Sequence, residues 1–68
     1  MKYYVQVIRL DTDGQWKQVN WWMNKAAAIG DAKHTFDNPD NPASRNVMAV
    51  RVVRGKRQPV VVFERITS

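Results

Sequence analysis

The sequence predicts an α+β domain, a four-stranded antiparallel sheet with one helix packed on one face, in the order ββαββ. Three observations predict it. Four runs rich in β-branched and aromatic residues, at 2–10, 15–22, 46–54 and 60–66, read as strands. One stretch, 25–37, carries its apolar residues at helical spacing instead. Short segments bearing Gly, Asp or Pro join the first run to the second and the third to the fourth, so the strands come as two hairpins around the helix.

The first strand, Lys2 to Leu10, has apolar groups at both parities: Tyr3, Val5 and Val7 against Tyr4, Ile8 and Leu10. Asp11-Thr12-Asp13-Gly14 closes the first hairpin, because Asp tolerates turn geometry and Gly14 supplies the positive φ such a loop requires. Alternation along the second strand puts Trp16 and Trp22 on one side and Val19 and Trp21 on the other. Asn24 has the side chain of a helix N-cap, able to accept a bond from an otherwise unpaired backbone N–H.

Within the helix, Ala28, Ile29, Ala32 and Phe36 form a single apolar stripe. Lys25, Asp31, Lys33, His34 and Asp37 fall away from its centre and are expected to be solvated. Gly30 is unfavourable in a helix interior and is expected to mark a close approach. Asn38-Pro39 ends the helix, and Asp37-Asn38-Pro39 with Asp40-Asn41-Pro42 reads as two successive turns. In the third strand Met48, Val50 and Val52 alternate with Ala49, Arg51 and Val53; the first set is expected to meet the helix. Gly55-Lys56-Arg57-Gln58 is a turn with a basic tip, and Pro59 stands at the entrance of the last strand, where a missing N–H is tolerated.

Sixty-eight residues imply one domain, 1–68, with a thin core. Such a core is commonly reinforced by disulfides, a metal or self-association. There is no Cys, and His34 is the only His, so neither a disulfide nor a Cys/His metal site is expected. No cofactor is expected either. No apolar run reaches the roughly 20 residues of a membrane-spanning helix, and Met1-Lys2-Tyr3-Tyr4 does not open a secretory signal; the expected location is cytoplasmic.

The net charge of +5 is unevenly distributed. Residues 1–42 balance Lys2, Arg9, Lys17, Lys25 and Lys33 against Asp11, Asp13, Asp31, Asp37 and Asp40. From residue 43 onward Arg45, Arg51, Arg54, Lys56, Arg57 and Arg65 face Glu64 alone. An excess confined to the last third of the chain points to an anionic partner, nucleic acid or an acidic protein surface.

Arg45, Arg51, Arg54, Lys56 and Arg57 are therefore the candidate nucleic-acid contacts, suited to a salt-sensitive, largely sequence-blind grip on phosphates. As a solvated turn, the same charges would simply keep an edge hairpin soluble. Tyr4, Trp16, Trp21 and Trp22 are the candidate partner contacts: a sheet face mixing rings with Arg suits stacked bases, a protein partner or a second copy of the chain. Trp21 and Trp22 are adjacent, so one is expected in the core and the other at an interface.

Catalysis finds no support. Asp11-Thr12-Asp13-Gly14 resembles the opening of a calcium loop, but the twelfth position counted from Asp11 or Asp13 is Trp22 or Asn24, neither acidic. Asp31 and His34 are three apart on the helix and can touch, yet no Cys is present and Ser44 and Ser68 lack a supporting pattern. The three glycines, at 14, 30 and 55, form no phosphate loop. The expected function is a small non-catalytic binding protein that contacts nucleic acid or a nucleoprotein complex through its basic C-terminal hairpin. In outline the chain resembles compact strand–helix proteins of phages and mobile elements, among them anti-CRISPR inhibitors, which bind nucleoprotein complexes without catalysis. That resemblance implies an alternative, a protein–protein inhibitor or adaptor that uses an exposed Trp and the open sheet face. A homodimer that buries this face is a third expectation.

Overall fold

The structure, a computed structural model, describes residues 1–37 and 47–66. Strands β1 (Tyr3–Arg9) and β2 (Lys17–Trp22) form the first hairpin; helix α1 (Lys25–Asp37) follows, and β3 (Val47–Arg54) with β4 (Val60–Ile66) makes the second. The strands lie in the order β2-β1-β3-β4, every neighbouring pair antiparallel. The two hairpins thus meet along β1 and β3, and α1 carries the chain from an edge strand back to the middle of the sheet. The expected ββαββ architecture is the observed one. Arg45, the Asn-Pro turns and the residues proposed to end the helix at 38–39 lie outside the described residues.

Local chemistry accounts for the element ends. After β1, Leu10–Thr12 makes one 3₁₀ turn, closed by Thr12, whose Oγ1 accepts from the Arg9 N–H at 3.1 Å and donates to the Arg9 carbonyl at 3.0 Å. Asp13 (φ 54°) and Gly14 (φ 75°) then adopt left-handed backbone, as expected of an Asp-Gly pair. Asn24 caps α1: its Oδ1 accepts from the Ala27 N–H at 3.1 Å.

One face of the sheet packs on the helix. Val5, Val7, Val50 and Val52 are completely buried with Ala28 and Ala32, and Tyr3, Ile29, Phe36, Val47, Val62 and Phe63 surround them. Single-methyl side chains on α1 let the helix lie close enough to enclose the four valines. Each buried valine contributes about 1.5–3 kcal/mol of burial free energy.

Four expectations need correction. Gly30 is exposed, and a Cβ built on it would meet nothing within 4 Å, so it marks no close approach. Met48 is 46% exposed because the β1–β3 register slips there: Ile8 opposes Ala49 and Arg9 opposes Val47, which leaves Met48 as the extra residue of a bulge. A second bulge, at Val19 between the Val5–Asn20 and Gln6–Gln18 pairs, reverses the sidedness expected in β2. Trp16 therefore shares a face with Trp21 rather than with Trp22. Finally, neither Trp21 nor Trp22 enters the core; they are 47% and 39% exposed, on opposite faces of an edge strand.

Candidate functional site

The face away from the helix is covered by its own long side chains. Tyr4, Ala49 and Val53 are buried there, at 8%, 4% and 2% exposure, although no helix or strand among the described residues packs on them. Arg51 lies with its guanidinium 4.2 Å from the centre of the Trp16 ring, and its Nε donates to Gln6 Oε1 at 2.6 Å. Gln6 is its cross-strand neighbour on β1, and Glu64 its neighbour on β4. Arg51 and Trp16 thus form a lid over the middle of this face, and stacking of this kind is worth about 0.5–2 kcal/mol.

A different arrangement occupies the end of the sheet where β1 and β4 begin and β2 and β3 finish. The Gly55 N–H donates to the Lys2 carbonyl at 3.2 Å, tying the second turn to the start of β1. Gly55 itself has φ 83°, which favours glycine. Lys2 Nζ lies 4.4 Å from the centre of the Trp21 ring, and Lys56 Nζ lies 5.6 Å from that of Tyr4. Tyr4 opposes Trp21 on one side and Val53 on the other, so rings and cations interleave across three strands. Arg57 is exposed in the same turn, and Arg54, the register partner of Tyr3, is exposed at the same end but on the helix-side face. An open hollow of about 590 Å³ lies between Met1, Arg54, Lys56, Arg57, Gln58 and Val60.

The segments that build this end, 1–4, 19–27 and 53–62, contain no Asp or Glu. Lys2 and Lys56 are set over rings, and the nearest carboxylate bonded to these segments, Asp31, is engaged by Asn20 and Trp22. The same end exposes Met1, Trp21, Met23, Val60 and Val61. Elsewhere charge is paired or mixed: Arg65 Nη1 meets Asp37 Oδ2 at 2.9 Å and stacks on Phe36, and Asp31 Oδ2 accepts from Asn20 Nδ2 at 3.0 Å and from Trp22 Nε1 at 2.9 Å.

The residues singled out from the sequence thus divide. Arg54, Lys56, Arg57 and Trp21 come together at one end. Arg51 and Trp16 pair with each other in the middle of the sheet. Trp22 is held against α1 through Asp31. Tyr4 is buried beneath the cluster, so its ring offers little surface to a partner. Lys2 joins the cluster without having been singled out; its place follows from the β1–β3 pairing, which no local pattern announces. Among the described residues no group of three or more His, Asp or Glu stands where it could hold a metal ion, and no helix is long and apolar enough to cross a membrane. Compared with protein-family models, with curated proteins and with solved structures, the chain matches none.

Proposed function

We propose that this is a non-catalytic binding protein that grips nucleic acid, free or within a nucleoprotein complex, through the end of the sheet formed by Lys2 and the Arg54–Gln58 turn. The observation that carries this reading is that Lys2 and the turn bearing Lys56 and Arg57 are tied together at one end of the sheet, with Arg54 on the other face of that end, and that the contributing segments contain no carboxylate. Unneutralised cations on a rigid turn attract phosphate, and each phosphate contact releases a condensed counterion. Four such contacts give a log–log salt slope of about −2.8 on a single strand to −3.6 on B-DNA, a roughly 50- to 150-fold loss of affinity between 50 and 200 mM salt. Fluorescence anisotropy with a labelled oligonucleotide measures this directly. The triple variant R54E/K56E/R57E, checked for fold by circular dichroism, is expected to lose binding at every salt concentration. Affinity indifferent to salt and to these three reversals would rule the reading out.

A second reading rests on the apolar side chains at the same end. Met1 is 75% exposed, Met23 63%, and Trp21 and Val60 47% each. Exposed Trp flanked by flexible Met is the composition of a protein-binding patch, and it supports an inhibitor or adaptor function. Under that reading the charge reversals would act mainly on the association rate, while Trp21→Ala would remove binding.

A further inference from the structure

We infer that the basic end takes single-stranded nucleic acid in preference to duplex, with a base stacked on the Trp21 indole and phosphates held by Lys2, Lys56 and Arg57. The inference rests on the nucleic-acid reading above and adds to it the strandedness of the ligand and the residue that reads it.

Three observations carry it. First, Trp21 lies on a sheet face, not in a turn, and Lys2 lies 4.4 Å from the centre of its ring, so the indole is held in place while it remains 47% exposed. A held ring offers a stacking surface at little entropic cost. Second, cations stand near that ring: Lys2 lies over one face of it, Lys56 sits over Tyr4, the cross-strand neighbour of Trp21, and Arg57 follows in the same turn. A base on the indole therefore brings its phosphates within reach of charge. Third, the helix is not presented for reading a duplex, which leaves the basic β3–β4 hairpin as the described element that could enter a groove. Duplex readout commonly places a helix in the major groove, but α1 lies flat on the sheet. Its exposed positions mix Lys25, Lys33 and His34 with Asp37 and Gly30. Bases inside a duplex stack on each other and show only their edges, so a duplex can use the cations of this end but not its ring.

A protein partner fits this surface less well. The described residues of the three contributing segments include no acidic side chain to complement the mixed charges of an ordinary protein surface, whereas uniform positive charge around an exposed ring complements a polyanion of bases and phosphates.

The test titrates the whole chain with an oligothymidylate and with a duplex of equal length, at low salt. Three forms are compared: the native chain, Trp21→Ala and Trp21→Phe. The single strand is expected to bind more tightly than the duplex. Trp21→Ala should weaken the single strand by roughly tenfold while duplex affinity stays within about twofold, since one stacked base contributes about that factor. Trp21→Phe, which keeps a ring, should restore most of the loss. In the native chain, the Trp21 indole N–H resonance should move on addition of oligothymidylate and that of Trp22, bonded to Asp31, should not; this reading does not depend on any variant folding. Equal affinity for the two ligands with no effect of Trp21→Ala overturns the inference and leaves the basic turn as a sequence-blind phosphate grip. Absence of binding to either ligand overturns both, and points to a protein partner at this end.

Discussion

At one end of the sheet the chain turns through Asp11, Thr12, Asp13 and Gly14; at the other it turns through Gly55, Lys56, Arg57 and Gln58. Both turns place a glycine in left-handed backbone, and each is fastened by a short bond, Gln15 N–H to the Thr12 carbonyl at 3.0 Å and Gly55 N–H to the Lys2 carbonyl at 3.2 Å. Their surroundings differ. The first turn carries aspartates and is fastened within itself. The second carries cations and is fastened to β1, so that it borrows Lys2 and the neighbouring Trp21. Turn geometry is thus shared, and the two turns differ in what the strand order brings beside each. The two turns stand at opposite ends of the sheet, aspartates at one and Lys56 and Arg57 at the other.

The comparison can be broken most strongly through the glycines. Gly14→Ala and Gly55→Ala each force a Cβ into positive-φ backbone, while neither meets a close neighbour, since the nearest atom to a Cβ on Gly55 is the Gln58 carbonyl at 3.8 Å. Each is expected to cost about 1–2 kcal/mol in thermal or urea unfolding. Only Gly55→Ala should also weaken nucleic-acid binding, because only that turn holds the cations. Equal loss of binding from both variants would mean that the ends are not functionally distinct.

A smaller effect separates the lid in the middle of the sheet from the cluster at its end. A double-mutant cycle on Trp16→Ala and Arg51→Ala should give a coupling of about 0.5–1 kcal/mol in stability, with little change in affinity for either variant. Loss of binding on removal of Arg51 would extend the site to the centre of the face. Smallest of all should be Asp13→Asn. The far turn is separated from the basic end by the seven residues of β1, roughly 20 Å or about two Debye lengths at 0.1 M salt. Affinity measured by anisotropy at that ionic strength should change by less than about twofold.

Much of this architecture can be read from residue order, for identifiable reasons. Asn24 and the alanine-spaced stripe mark the helix start, and Gly55 and Pro59 mark the ends of the second turn, so α1 and β4 fall at 25–37 and 60–66 as expected. Sidedness is another matter. The bulges at Val19 and Met48 each insert one residue, and a period of two carried through them assigns Trp16 and Met48 to the wrong face. Exposure of Trp22 is likewise invisible locally, because it depends on β2 being an edge. The basic turn is evident from composition, but its completion by Lys2 requires β1 to pair with β3 across nearly the whole chain. The Arg51–Trp16 stack needs the same knowledge, for it joins β3 to the loop before β2, with Gln6 of β1 bonded to Arg51.

The central claim, that one end of this sheet is the binding surface, is tested most directly by mapping backbone amide shifts as an oligonucleotide is added to the native chain. The account predicts that the shifts cluster at Lys2, Trp21, Met23 and the Arg54–Gln58 turn, and that Asp11–Gly14 and the outer side of α1 stay still. Shifts centred on the helix or on the aspartate turn, with the basic end unmoved, would contradict it.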